Sequence, residues 1–299
     1  MPPMSNRRSF RYRVVDVFTR IPLEGNPLAV FPDSHGIDDP TMQRIARELN
    51  LSETVFVQEA KLDGCAKALR IFTPTRELIF AGHPTVGTAY VLLNEGMVPA
   101  GTERFSVEEK IGPVAIRVEK SDPPLVWLET PPIAFEKVFS PSTCASLLQL
   151  EVNHLLNVEP QIVNAGNPTL LIALKNKELV DRASVDVKLL SHLASGSDQP
   201  FCIFVFTPTE NGAYSRMFAP NYGILEDPAT GSSTGPLGAF MKHHNLLPNS
   251  LDGRFVSEQG AKMGRRSFLY FEISGDRKGG DRISVGGHVT PLIEGVMTL

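Results

Sequence analysis

The amino-acid sequence predicts an α+β protein in which one structural unit occurs twice. Three short segments recur in the same order and at nearly constant offsets along the chain. They pair as 26–31 with 167–172, 70–74 with 216–220, and 82–85 with 231–234. Three ordered repeats indicate a duplication, whereas a single Asn-Pro or Phe-x-Pro match would be ordinary strand-to-turn sequence. We therefore divide the chain into a first half, 1–130, and a second half, 131–299.

The helices predicted after the third repeat also match between the halves. In the first half, apolar residues recur at helical spacing from 86 to 93, and Pro84 suits the first helical position. In the second half, the same spacing runs from 237 to 244 after a Gly-Ser-Ser turn. Further helices are predicted over 40–50, with one buried face, and over 141–156.

Most of the remaining sequence is predicted to form short strands. In the first half these are 12–18, 29–31, 54–57, 68–72, 114–118 and 125–129. In the second half they are 161–163, 170–174, 202–206, 215–218, 254–258, 267–273 and 282–285. Many short strands around one apolar helix per half favour a curled sheet wrapped about a buried helix.

The composition is typical of a soluble globular protein. Of 299 residues, 42% are hydrophobic and 21% charged, and 29 basic against 33 acidic residues give a net charge of −4. This balance provides no bulk attraction to nucleic acid or to an anionic membrane. No apolar run approaches the ~18 residues of a membrane span, and no apolar segment follows the charged N-terminus. Three cysteines without C-x-x-C spacing indicate reduced thiols, so we expect a cytoplasmic protein.

Gly-rich turns precede both matched helices, at Gly82-His83 and at Gly231-Ser232. If a pseudo-twofold axis turns the two helix starts toward each other, their free backbone N–H groups form a cleft for an anion such as a carboxylate. Glycines at a helix start also serve close packing, which is the better interpretation of a single turn of this kind. Because two matched turns occur, we favour a binding site.

Three side chains near these turns are candidates for proton transfer or substrate binding. Glu53 lies at the mouth of an apolar strand, where partial burial would raise its pKa toward neutral pH. His83 could shuttle a proton, and Asp227 could accept hydrogen bonds from a substrate amine or hydroxyl. Each also has an ordinary interpretation, as a loop carboxylate, a backbone-bonded histidine or a local cap. Asp198 lies near the position equivalent to Glu53, although a following proline changes the local geometry.

An ordered set of motifs resembles the PhzF phenazine-biosynthesis-like family over almost the whole chain, from about residue 12 to residue 292. The motifs in the body of the chain are Gly-Asn-Pro from 25, Asn-Leu-Ser-Glu-Thr from 50, Arg-Ile-Phe-Thr-Pro from 70, Phe-Ala-Gly-His-Pro-Thr from 80 and Glu-Asp-Pro-Ala-Thr-Gly-Ser from 226. Glu-Gln-Gly from 258, Met-Gly-Arg from 263 and Val-Gly-Gly from 285 follow near the C-terminus.

The resemblance implies the diaminopimelate epimerase-like fold, in which two β-barrel-like halves, each around a central helix, enclose the active site. It implies a cofactor-independent isomerase without a metal, similar to trans-2,3-dihydro-3-hydroxyanthranilate isomerase. Glu53 would then act as the general acid/base that moves a proton within a small carboxylate substrate. The implied substrate-binding residues are Ser52, Gly82, His83, Asp227, Gly231 and Ser232. A homodimer with no nucleic-acid or membrane partner is also implied.

Related two-base racemases carry a cysteine at each facing turn, and here those positions hold His83 and Ser232. The cysteines Cys65, Cys144 and Cys202 lie elsewhere, which favours a single-carboxylate isomerase over a two-cysteine racemase. Two alternatives stay open. The same scaffold could support a lyase that eliminates a β-amine or hydroxyl, or a protein that binds a small molecule without turnover.

Overall fold

The backbone forms a continuous hydrogen-bonded network of seventeen strands that wraps around one buried helix in each half. This arrangement is seen in a computed structural model that describes residues 7–195, 201–250, 253–276 and 280–299. The predicted α+β class, with a curled sheet around a buried helix in each half, is confirmed. None of the described helices is both long and apolar enough to cross a membrane.

The elements of the first half alternate between sheet and helix as the sequence predicts. They are β1 (Ser9–Val17), β2 (Asn26–Phe31), α1 (Asp39–Leu49), β3 (Glu53–Gln58), β4 (Cys65–Phe72), β5 (Glu77–Leu78), α2 (Gly82–Asn94), β6 (Arg104–Glu109), β7 (Gly112–Glu119) and β8 (Leu125–Glu129). The α1 helix begins where the Asp38 carboxylate accepts a hydrogen bond from the Thr41 amide at 3.0 Å, and it ends at Asn50 in the left-handed region.

The second half repeats this order with additional short helices. Its elements are β9 (Ala134–Val138), α3 (Pro141–Leu147), β10 (Gln161–Asn164), β11 (Pro168–Ala173), α4 (Lys177–Arg182), α5 (Val187–Ala194), β12 (Cys202–Thr209), β13 (Gly212–Ala219), β14 (Ile224–Asp227), α6 (Gly231–His243), β15 (Arg254–Gln259), β16 (Ser267–Asp276) and β17 (Gly280–Thr298).

The last strand connects the halves. Its first part pairs with β16, its middle with β8, and its final ten residues with β1, from Val17 opposite Val289 to Ser9 opposite Thr298. Together β1, β2, β3, β4, β6, β7, β8 and β17 form a closed ring of paired strands around α2. The C-terminal strand therefore completes this ring and also continues the sheet of the second half through β16.

The central helices α2 and α6 are buried on all sides over their first eleven residues, unlike the one-sided burial of α1. Around α2 the core is formed by strand residues such as Val17, Leu28 and Val126, and around α6 by residues such as Phe206 and Phe271. A helix that is apolar or small on every face has to be enclosed, so the sheet curls around it.

The structure corrects two predictions of detail. The helix predicted over 141–156 ends at Leu147, because Gln149 adopts a left-handed conformation and only a short 3₁₀ turn follows at Val152–His154. The α2 helix starts at Gly82, so Pro84 is its third residue rather than its first. The short helices α4 and α5 and the strands β5, β6, β9 and β14 carry too little periodicity to be predicted.

Candidate active site

The two central helices begin against each other at the centre of the molecule. A Cβ atom built on Gly82 would lie 2.5 Å from the Gly231 carbonyl carbon and 2.5 Å from the Ser232 nitrogen. A Cβ atom on Gly231 would lie 3.1 Å from the carbonyl carbon and the Cα of Gly82. Only glycine allows the two backbones to approach this closely. The facing helix starts expected from the duplicated Gly-rich turns are therefore present.

Neither helix start is closed by a side chain in the described part of the chain. The residue before α2 is Ala81 and the residue before α6 is Thr230, and neither side chain caps the first turn. The first backbone N–H groups of the two helices, at Gly82 and His83 and at Gly231 and Ser232, are thus available to a ligand. Two helix dipoles whose positive ends meet at one place favour an anion there.

Glu53 lies at the first position of β3, where it is 9% exposed and lines the cleft between the helix starts. Its Oε2 atom has no hydrogen-bond partner among the described residues and lies 3.3 Å from His83 Nδ1. Burial raises the pKa of Glu53 well above its usual value, and the nearby Asp227 carboxylate raises it further. A raised pKa makes this carboxyl group a weaker acid than an exposed glutamate, so it holds its proton to higher pH.

Asp227 is buried in the same cleft but has many hydrogen-bond donors. Its Oδ1 accepts from Asn26 Nδ2 at 2.8 Å and from the Ser52 hydroxyl at 3.2 Å, and its Oδ2 accepts from the Thr230 hydroxyl at 2.5 Å. Burial raises the pKa of Asp227 to about 6, while these three donors act in the opposite direction. Of the two carboxyl groups, Asp227 has the donors that stabilise a negative charge, so it ionises more readily than Glu53.

His83 is a neutral imidazole, because burial lowers its pKa to about 3. Its 3.3 Å contact with Glu53 is consequently not an ion pair. Asn26 Nδ2, which lies 3.3 Å from His83 Nδ1, already donates to Asp227 and to the Ala229 carbonyl oxygen, so both of its hydrogens are used. A neutral imidazole has one ring N–H, and the Nε2 atom of His83 has no hydrogen-bond partner among the described residues, so this atom is available to a ligand.

The cleft is lined by both polar and apolar residues, and it opens to solvent. The polar side chains and helix-start residues in its lining include Glu53, His83, Asp227, Gly82, Gly231 and Ser232. The apolar residues and the thiol in its lining are Leu78, Cys202, Met217, Ala219, Tyr222 and Ile224. Six of the seven predicted site residues thus meet in one cleft, and the seventh, Ser52, contacts it indirectly by donating to Asp227.

The strand register identifies a different counterpart for Glu53 than the sequence offsets did. In the first half, the residue two positions after the asparagine of the Asn-Pro repeat is Leu28, and it pairs with Glu53. In the second half, the residue at the same position is Thr169, and it pairs with Cys202. The position equivalent to Glu53 is therefore Cys202. Asp198, which the sequence comparison placed near that position, lies outside the described residues.

Two buried amides at the site were missed by the sequence analysis. Asn26 connects Asp227 to the first half, and Gln259 holds the residue before α6 by accepting from the Thr230 amide at 3.2 Å. Gln259 also donates to the Asp227 carbonyl oxygen at 2.8 Å. Both residues stand in recognised motifs, Gly-Asn-Pro and Glu-Gln-Gly, so the signal was present although no role was attached to it. No cluster of three metal-ligating side chains occurs in the described ranges.

Comparisons with known proteins bear on the family and the fold. A sequence profile described as phenazine biosynthesis-like protein matches residues 15–295. The chain is 32% identical over 287 residues to a Pseudomonas aeruginosa trans-2,3-dihydro-3-hydroxyanthranilate isomerase, covering 95% of this chain and 98% of that protein. The solved structure of a Bacillus anthracis PhzF-family protein has a TM-score of 0.86 and 24% identity, covering 98% and 100% of the two chains, and shows the fold alone. A Pseudomonas aeruginosa structure described as a predicted epimerase has a TM-score of 0.81 and 31% identity, covering 96% and 99%.

Two barrel-like halves with a shared cleft, together with relatives named as isomerases and epimerases, define an isomerase-type enzyme. The chain belongs to the PhzF family of phenazine biosynthesis-like proteins.

Proposed function

We propose that this protein is a cofactor-independent isomerase that moves a proton within a small carboxylate substrate, in the manner of trans-2,3-dihydro-3-hydroxyanthranilate isomerase. The observation that carries the proposal is the buried Glu53 carboxyl group, which lines the cleft between two uncapped helix starts. Its Oε2 atom has no hydrogen-bond partner among the residues that the structure describes. A carboxyl group without a structural partner in such a place is available to exchange a proton with the ligand.

The proposed reaction needs only one proton carrier. Glu53 gives a proton to one carbon of the substrate and takes a proton from another, so the enzyme returns to its starting state and the substrate keeps its composition. Burial raises the pKa of Glu53 toward the working pH, where a carboxyl group can both give and take a proton efficiently. Cys202, the equivalent position in the other half, carries a thiol whose pKa burial raises to about 12, so it stays protonated and neutral.

The remaining cleft residues stabilise charge. Amides at the starts of α2 and α6 bind the substrate carboxylate and the negative charge that develops next to it during proton transfer. The ionised Asp227 accepts from an amine or hydroxyl of the substrate, and the neutral His83 donates from Nε2. A homodimeric state and a cytoplasmic location are further proposals, based on the family resemblance and on the reduced thiols.

The test is turnover of trans-2,3-dihydro-3-hydroxyanthranilate, followed by ultraviolet absorbance and mass spectrometry in H₂O and D₂O. We expect a product of unchanged mass in H₂O. Glu53→Gln removes the proton carrier with little change in shape and should lower kcat by about 10²- to 10⁴-fold. Glu48→Gln is the matched control, because Glu48 is an exposed residue on α1 outside the cleft and should leave kcat unchanged.

Other outcomes would contradict the proposal in distinct ways. Release of ammonia or water with loss of mass would indicate the lyase alternative. Binding without turnover of this compound and of a panel of related unsaturated amino and hydroxy acids would indicate a binding protein. Full activity in Glu53→Gln would remove Glu53 from the mechanism, whichever product forms.

A further inference from the structure

A second buried carboxyl group lies behind the start of α2, outside the cleft lining. Glu109 is the last residue of β6 and is 5% exposed. Its Oε1 atom lies 2.5 Å from the hydroxyl of Thr85, in the first turn of α2, and its Oε2 atom has no partner among the described residues. Glu109 thus contacts the helix whose amides face the ligand.

The hydrogen-bond geometry requires a proton on this carboxyl group. The Thr85 hydroxyl oxygen lies 2.6 Å from the Ala81 carbonyl oxygen and 2.5 Å from Glu109 Oε1, and both of these oxygens lie within hydrogen-bond distance. A threonine hydroxyl has one hydrogen and cannot donate to both. If Glu109 is protonated, it donates to Thr85 and Thr85 donates to Ala81, so both short contacts become hydrogen bonds.

The duplication supplies independent support, because strand register makes Glu109 and Gln259 equivalent residues. In the first half, Ala68 pairs in parallel with Glu108, and Glu109 is the next residue. In the second half, Tyr214 pairs in parallel with Glu258, and Gln259 is the next residue. Ala68 and Tyr214 are themselves equivalent, because each lies two residues before the arginine of the repeated Arg-x-Phe-x-Pro segment.

Gln259 performs the same task at α6 with an uncharged group. Its Oε1 accepts from the backbone N–H of Thr230, the residue before α6, and its Nε2 donates to the Thr230 hydroxyl at 3.0 Å. A protonated Glu109 likewise has one acceptor and one donor, and its donor reaches the hydroxyl of Thr85, which in turn donates to the Ala81 carbonyl oxygen. An ionised Glu109 would offer only acceptors.

We propose that Glu109 is a positioning residue that acts as a neutral carboxylic acid, holding the first turn of α2 as Gln259 holds that of α6. Its neutrality preserves the positive end of α2 for the ligand, because an ionised carboxylate behind the helix start would compensate the helix dipole. The part of this proposal that concerns ligand affinity rests on the proposed function, whereas the protonation of Glu109 does not.

No charged group of the surrounding elements offers Glu109 a counter-charge in the described part of the chain. Glu108 accepts from the backbone amides of Lys61 and Leu62, Lys110 pairs with Glu77, and His83 on α2 is neutral. Burial therefore raises the pKa of Glu109 to about 8, against the opposing hydrogen bond with Thr85. Because the pKa in the folded protein lies above that in the unfolded chain, stability is lost as pH rises from about 4.5 toward 8.

The experiment compares wild-type protein, Glu109→Gln and Gln259→Glu. Glu109→Gln places at α2 the residue that the second half already uses. We expect its Tm relative to wild type to rise between pH 5.5 and pH 8.5, because the glutamine no longer has to stay protonated. Gln259→Glu creates a second buried acid at the equivalent position, and we expect its Tm relative to wild type to fall over the same interval. It also keeps the test decisive if Glu109→Gln does not fold.

Ligand affinity is measured by calorimetry with anthranilate, a stable carboxylate probe. We expect Glu109→Gln to bind the probe like wild type at pH 7. Between pH 7 and pH 9.5 we expect wild type to lose about tenfold more affinity than Glu109→Gln, because the groups that line the cleft are the same in both proteins. A pH-independent Tm difference, or loss of probe binding by Glu109→Gln at pH 7, would overturn the proposal. If wild type does not bind the probe but the Tm differences appear, the neutral Glu109 stands and the proposed function fails separately.

Discussion

Replacing Gly82 by alanine tests the close approach of the two helix starts directly. The added Cβ would lie 2.5 Å from two backbone atoms of the second half. Carbon atoms in favourable contact are about 3.5–4.0 Å apart, so the helix starts would have to separate by about 1 Å. Because both partners are backbone, no side-chain rotation relieves the contact. The perturbation is therefore transmitted to the amides that face the cleft.

The size of the effect follows from two opposing contributions. Overpacking costs about 1–3 kcal/mol, and a backbone contact belongs at the upper end of that range. The better helix propensity of alanine returns at most about 1 kcal/mol, and less at the first residue of a helix. A net loss of about 2 kcal/mol corresponds to a decrease in Tm of about 4–8 °C. A displacement of about 1 Å at the site should lower kcat/KM by about 10²-fold.

Thermal unfolding and steady-state kinetics measure the two effects. Gly231→Ala should behave similarly but more mildly, because its Cβ would lie 3.1 Å from the opposite backbone. Gly96→Ala is the control, since Gly96 has a φ of +68° and open space around its Cβ, so alanine costs about 1–2 kcal/mol of backbone strain far from the cleft. It should lower Tm and leave kcat/KM unchanged. If Gly82→Ala retained both wild-type Tm and wild-type kcat/KM, the proposed binding of the substrate by the backbone amides at the starts of α2 and α6 would be wrong.

Three further predictions concern the charged and thiol groups. Since the pKa of Asp227 is about 6 and its ionised form binds the substrate, kcat/KM should fall as pH decreases through 6, and Asp227→Asn should remove this acid limb while lowering kcat/KM by about 10²-fold or more. Cys202→Ala should change kcat by less than about threefold, because the neutral thiol carries no proton in the reaction; a loss comparable to that of Glu53→Gln would indicate a second proton carrier. Arg216→Ala should lower the free energy of unfolding by about 3–5 kcal/mol in denaturant titrations, because Glu226 and the carbonyl oxygens of Asp181 and Ala183 lose the donor that Arg216 provides.

The sequence predicted the duplication, the two central helices and the cleft residues because each left a strong local signal. The Asn-Pro, Arg-x-Phe-x-Pro and Gly-rich segments are present in both halves. A helix with apolar or small residues on every face is expected to be buried. The motifs around Glu53 and Asp227 are long enough to identify the residues that meet in the cleft. Their meeting depends on the closed sheet, which no local pattern encodes.

What the sequence could not provide were relationships set by strand register. The sequence offsets between the repeats placed Asp198 near the position equivalent to Glu53. The pairing of Thr169 with Cys202 shows that the equivalent position is Cys202, because insertions in the second half shift it by several residues. The nineteen-residue β17 was predicted only over 282–285, because its pairing changes from β16 to β8 to β1 along its length. The role of Glu109 was hidden for the same reason, since its partner Thr85 lies 24 residues earlier in the chain.

The duplicated frame carries different chemistry at equivalent positions, and this difference determines what the cleft can do. Where the first half has Glu53, the second has the neutral thiol of Cys202. A symmetric pair of proton carriers would place one on each face of a substrate, which suits inversion of a carbon centre. In the proposed mechanism, Glu53 has no hydrogen-bond partner at Oε2 among the described residues and is the single proton carrier, while the equivalent position holds a neutral thiol. A single carrier moves a proton between two carbons on one face of the substrate, so the loss of symmetry between these two side chains argues for isomerisation rather than racemisation.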